Sequence, residues 1–181
     1  ESVIFSEPDY SGSVVAVVRG ESPLLSEEEA ESGKIAVQTG TSCALHAAES
    51  FPNAEIMYFT TTPDCLTALS EGSADAVFLN KTVADRFIGE RGGGYVYYSS
   101  DYGNESEGFV FPKTEDGKKL RDQFNEFLGK LSESGELDRL KQTWFDDKTD
   151  KSELVPDLSA SGENGTLTLA TEGSYYPFSY F

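Results

Sequence analysis

The chain has 181 residues, 38% of them hydrophobic, which is one domain's worth of sequence and enough for a buried core. Its 14 Lys and Arg against 32 Asp and Glu give a net charge of −18, a surface that repels nucleic acid and anionic membranes. One histidine and two cysteines are too few for a zinc site of the usual four such ligands, and no apolar run approaches the ~20 residues of a membrane span.

The first residue is Glu1 and no signal peptide is legible, so the chain is expected to be processed or cut from something longer. Val14-Val-Ala-Val-Val18 predicts a buried strand. Glu21, Glu27, Glu28, Glu29 and Glu31 mark a solvated acidic segment. Lys34–Gln38 predicts a strand, Thr39-Gly40-Thr41-Ser42 a turn, and residues 43–50 a helix of small residues broken by Pro52. A strand over Glu55–Phe59 leads to Thr62-Pro63-Asp64, which opens a helix with a hydroxyl cap, an early proline and an acid at the positive end. Gly72 ends that helix; Asp75–Leu79 predicts the next strand and residues 81–90 the next helix. Strands follow at Tyr95–Tyr98 and Gly108–Phe111. Two amphipathic helices come next, one with Leu120, Phe124, Phe127, Leu128 and Leu131 on a face, one with Leu137, Leu140, Trp144 and Phe145. This alternation predicts an α/β sandwich with a mainly parallel central sheet. Residues 146–165 read as a linker, and Thr166–Ala170 as a new strand ahead of the aromatic segment Tyr175-Tyr176-Pro177-Phe178.

Chemistry is sparse. A glycine between strand 34–38 and its helix lets N–H groups converge at a positive helix end, and the Thr41 and Ser42 hydroxyls add donors. That makes either a cradle for a carboxylate, phosphate or sulfate, or a simple helix cap. His46 is expected to pack or lie at the surface. No nucleophile elbow, phosphate loop or metal-binding helix motif occurs, and no two carboxylates can be paired from sequence, so the chain is expected to be non-catalytic and without metal or cofactor. Cys43 and Cys65 stand near the starts of successive helices. If these helices cover opposite faces of the sheet the thiols cannot meet, and both are expected to be buried and unbridged.

Six segments together resemble the extracellular solute-binding proteins of the amino-acid type, the two-lobed receptors of import systems and of some sensors. They are Val3–Tyr10, Gly33–Ser42, Leu69–Asn80, Gly108–Lys113, Ser134 through Phe145, and Leu167–Phe178. The resemblance implies a type II periplasmic-binding-protein-like fold: a crossover at 1–13, a whole second lobe at 14–104, and an incomplete first lobe returning at 105–145. The linker 146–165 would follow, and the family's opening strand at 166–181. Because the opening motif comes last, the chain is expected to join two tandem copies, a circular permutant being the alternative.

The resemblance also implies site residues. Thr41 and Ser42, with the backbone after Gly40, would help bind a ligand's α-carboxylate. Asn80 falls where the family usually places an acid that pairs with the α-ammonium. Glu172 and Tyr175 match the acidic and aromatic first-lobe positions, but of the next copy. The implied function is extracellular or periplasmic binding of a small, amino-acid-like solute between two lobes, in a sensor or a transport receptor, with tandem copies favouring the sensor. The alternative is an enzyme on the same fold, a dehydratase or a domain associated with a cell-wall lyase. The uncovered helix faces at 117–145 call for strand 166–170 as a cover, from the same chain or exchanged in a homodimer.

Overall fold

A computed structural model describes residues 2–21, 31–99, 102–145 and 165–180. Most of the acidic segment at 21–31 and of the linker at 146–165 lies outside the described residues. The elements in chain order are β1 (Val3–Phe5), β2 (Tyr10–Arg19), β3 (Lys34–Gln38), α1 (Ser42–Ser50), β4 (Glu55–Phe59), α2 (Thr62–Glu71), β5 (Ala76–Asn80) and α3 (Lys81–Glu90). They continue with β6 (Tyr95–Ser99), β7 (Asn104–Glu107), β8 (Val110–Pro112), α4 (Glu115–Glu133), α5 (Glu136–Phe145), β9 (Ser174–Tyr175) and β10 (Ser179–Tyr180). The chain divides into two compact units, Glu1–Asp9 with Gly108–Glu172, and Tyr10–Glu107 with Gly173–Phe181.

In the larger unit the sheet order is β4-β3-β5-β2-β6, with β7 also paired to β2. Residues 14–18 of β2 are at most 3% exposed because each of its faces is covered. Val14, Ala16 and Val18 join one apolar cluster with Cys43, Ala44 and Ala47 of α1. Val15 and Val17 join the other, with Cys65, Ala68 and Leu69 of α2 and Val83, Ala84 and Phe87 of α3. The period-two alternation of a strand thus divides one continuous apolar run between two cores. The result is the expected three-layer α/β sandwich. The sheet itself is mixed where a mainly parallel one was expected. β3 runs parallel to β4 and β5, but β2 enters antiparallel to β5, β6 and β7.

Local sequence sets the helix ends. Thr61 caps α2 by accepting from the Asp64 N–H at 3.3 Å, with Pro63 in the first turn. Gly72 closes it at φ +79°, a left-handed conformation that glycine adopts without strain. The Arg19 guanidinium then donates to the Leu69 and Ala74 carbonyls at 2.6 and 2.8 Å, fastening this helix end to β2.

The smaller unit pairs β1 with β8 antiparallel and sets Phe124 of α4 against Phe109 and Phe111, with ring centroids 4.7 and 5.7 Å apart. The expected strand at 108–111 is observed as β8, and a further strand that was not expected, β7, precedes it and joins the larger unit. The expected strand Thr166–Ala170 is not formed. Residues 165–170 are exposed and pair with nothing among the described residues, and a strand without a partner leaves its N–H and C=O groups to water. The proposed cover for α4 and α5, and the strand-exchanged dimer built on it, lose their basis. The chain instead ends in the hairpin β9–β10, whose Tyr175 and Phe178 pack on the α2–α3 side of the larger unit.

Candidate functional site at the sheet edge

β3, β4 and β5 all end on the same edge of the larger unit's sheet, and each is followed by a helix start. The helix after β3 lies on one face and the helix after β5 on the other. A crevice opens where two adjacent parallel strands part in this way, and ligands of α/β sheets bind at such switch points. Helix N-termini bring unpaired N–H groups and a positive potential to the same edge.

Gly40 stands at φ +79° with open space where a side chain would be. Thr41 is the cap of α1. Its hydroxyl donates to the Gln38 carbonyl at 2.8 Å and accepts from the Ala44 N–H at 3.3 Å. Ser42 donates its hydroxyl to Oε2 of Glu105 at 2.6 Å. Across the crevice Asn80 is fully buried. Its Oδ1 accepts the Thr82 N–H at 2.8 Å, capping α3, and its Nδ2 donates to Oε1 of Glu105. Tyr10 closes the set, its hydroxyl 2.7 Å from Thr82 Oγ1 and 3.4 Å from Asn80 Oδ1. Glu105 sits opposite Gly12 in the β2–β7 ladder, and a Cβ at Gly12 would lie 2.9 Å from Asn80 Nδ2. The missing side chain is what lets the acid and the amide meet.

The structure therefore brings Gly40, Thr41, Ser42 and Asn80 to one place. It adds Glu105, which sequence reasoning missed. The signal was the alternation of Glu105 and Glu107 on one side of a short polar strand just after Gly103. Among the described residues, no lysine, arginine or histidine forms an ion pair with Glu105. Its charge reaches its neighbours. Burial pushes the Cys43 thiol up to about 12, and Glu105 adds to the rise. Burial likewise raises the Tyr175 phenol, with Glu105 again the next cause. Tyr175 is stacked on Phe178 at 5.2 Å, and Phe178 meets the Tyr10 ring edge-on at 4.8 Å. Ser174–Tyr176 also roof the groove between α2 and α3, where the Arg86 guanidinium lies 3.5 Å from the centre of the Tyr176 ring. Glu172 is exposed and belongs to the smaller unit.

Both cysteines are buried and unbridged, and the sheet stands between them, as expected from helices on opposite faces. His46 is half-buried and packs on the backbone of Gly103. Among the described residues no group of His, Cys, Asp and Glu could hold a metal, and no helix is long and apolar enough to cross a membrane.

A three-layer lobe with its polar groups gathered at the switch-point edge is the architecture of type II periplasmic-binding-protein-like domains. Residues 1–147 match the model of the bacterial extracellular solute-binding proteins, family 3, and the chain belongs to that family. The structure is similar to the substrate-binding protein of an amino acid ABC transporter, with 31% identity and TM-score 0.69 over 80% of this chain and 64% of that one. It is also similar to holo ArgBP from T. maritima, with 27% identity and TM-score 0.66 over 80% and 63%. A third likeness is the ancestral amino acid-binding protein AncCDT-1, a precursor of cyclohexadienyl dehydratase, with 26% identity and TM-score 0.67 over 80% and 62%. The chain thus spans less than two thirds of these relatives. No curated protein matches it.

Proposed function

We propose that this chain supplies one lobe of an extracellular or periplasmic receptor for a small, amino-acid-like solute, bound without chemical change at the sheet edge formed by Gly40, Thr41, Ser42 and Asn80. The observation that carries the reading is the meeting of polar side chains from two helix starts at the switch point, around the one crevice where α1 and α3 diverge. Two structural relatives, the substrate-binding protein of an amino acid ABC transporter and ArgBP from T. maritima, support the solute class. Glu172 and Tyr175 keep the acidic and aromatic roles that the family resemblance gives them, on an opening segment of a further copy. A sensor built of tandem copies is the fuller form of the proposal.

A receptor of this type gains affinity by enclosing its ligand between two walls, and most of one wall is outside this chain. Binding here is expected in the millimolar range, about 4 kcal/mol. Titration of the isotopically labelled chain with arginine, glutamine and glutamate, followed by amide chemical shifts, tests this. Saturable shifts at Gly40–Ser42 and Asn80 are expected. Shifts absent for all three, or scattered over the surface, would remove the sheet edge as the solute site.

A further inference from the structure

We infer that Glu105 is the internal anion of the α1 cradle, so that the site receives its solute by a cationic amine or guanidinium group and not by a carboxylate. The inference rests on the reading of the sheet edge as the solute site, and it fixes which end of the solute faces this lobe.

A strand-glycine-helix junction with two hydroxyl residues would ordinarily offer donors to an incoming anion. Here both hydroxyls are committed. Thr41 donates to the Gln38 carbonyl, and Ser42 donates to Glu105. The buried amide of Asn80, the donor facing them across the crevice, also gives its Nδ2 to Glu105. One carboxylate therefore collects a donor from each wall. An arriving carboxylate would have to evict it or settle beside it, and two like charges in a half-enclosed site repel strongly.

The donors that hold Glu105 are a hydroxyl, an amide and, at 3.9 Å, the Cys43 thiol, all neutral, so its negative charge is oriented but not cancelled. Among the described residues no cationic side chain pairs with it. Glu107, two residues along the same strand, adds its own negative charge to the Cys43 thiol and the Tyr175 phenol, as Glu105 does. A fixed, half-buried carboxylate without a cationic partner, whose charge reaches the Tyr175 phenol stacked on Phe178, is suited to a small organic cation. The wider field of the chain, at −18, draws such a cation in.

The test compares four probes on the labelled chain: L-arginine, its decarboxylated analogue agmatine, acetate and sulfate. Amide shifts at Ser42 and Asn80 are expected with arginine and agmatine, with affinities within a few-fold of each other, and none with acetate or sulfate. Glu105→Gln, which keeps the side-chain shape, can accept from Asn80 through its carbonyl oxygen and donate to the Ser42 hydroxyl through its amide nitrogen; it is expected to weaken agmatine at least about tenfold and to admit acetate. The wild-type comparison does not depend on the variant's folding. If acetate or sulfate shifts Ser42 as strongly as agmatine, or if Glu105→Gln leaves agmatine binding within about twofold, the inference is overturned while the solute site stands. If none of the four probes shifts these amides in the wild type, the inference and the reading of the site fall together.

Discussion

Truncating Asn80 to alanine tests how far the sheet edge depends on one buried amide. The side chain is fully buried and serves two elements at once. Its Oδ1 caps α3 through the Thr82 N–H, a bond worth about 1 kcal/mol at helix starts. Its Nδ2 bonds the Glu105 carboxylate, a charge-assisted contact worth roughly 1.5–3 kcal/mol. Losing both should cost about 2.5–4 kcal/mol, and each kcal/mol lowers the midpoint of a unit this size by about 4–8 °C. Thermal unfolding followed by circular dichroism should therefore show Asn80→Ala melting at least about 10 °C below the wild type. Asn80→Asp separates the two roles. It keeps an acceptor for the cap but loses the donor, and sets a second carboxylate against Glu105. Two carboxylates sharing one place raise each other's proton affinity in the folded state. That stabilises the folded form below the usual carboxylate range, and the stability is lost as pH rises from about 4 upward. The double variant Asn80→Asp with Glu105→Gln should remove this pH dependence. An alanine variant melting within about 2 °C of the wild type would refute the bond pattern from which the site is built.

Other consequences are simpler. Thr41→Ala removes the α1 cap and should destabilise the larger unit by about 1 kcal/mol, seen as a midpoint lowered by about 4–8 °C; no change would mean that the junction needs no cap. Burial raises both thiols from 9.0 to about 12. The native chain should thus resist a thiol-specific reagent at pH 8 and react fully in denaturant. The folded state then holds protons that the unfolded chain releases, so urea midpoints should fall as pH rises above about 9, and midpoints flat to pH 11 would contradict the burial. A side chain at Gly117 would place its Cβ 2.0 Å from the Pro112 carbonyl oxygen, a clash with backbone that cannot turn aside. Gly117→Ala should loosen the start of α4, read as faster amide exchange there than in β5.

What the sequence disclosed depended on whether an element's partners were local. The stop at Gly72 and the early Pro63 of α2 are written in adjacent residues, and the structure carries them as read, while the hydroxyl cap expected at Thr62 falls one residue earlier, at Thr61. The direction of the strand at residues 14–18 is not local. Nothing within Val-Val-Ala-Val-Val distinguishes parallel from antiparallel neighbours, and the mixed sheet follows from where the chain enters it. Thr166–Ala170 has strand-like alternation, but a strand exists only by pairing, and its pattern cannot show that no partner is at hand. The site divides in the same way. Gly40, Thr41, Ser42 and Asn80 stand beside strand ends that the sequence locates. Glu105 reaches them only through the register that sets it opposite Gly12.

The antiparallel entry of β2 also has a meaning in time. A chain made from its N-terminus exposes Val14–Val18 early, yet their ladder partners are residues 76–80 and 95–99. Until those are made, the most β-prone and least charged stretch of the chain has both edges open, the condition in which strands of separate molecules join. The β3-α1-β4-α2-β5 segment, whose contacts are nearer in sequence, can assemble first and present an edge for β2 to close. Folding speed should then be set by that late, long-range docking. Substitutions in Val14–Val18 should alter the yield of refolding more than changes of equal cost in the helices, because they act on the interval in which the strand waits.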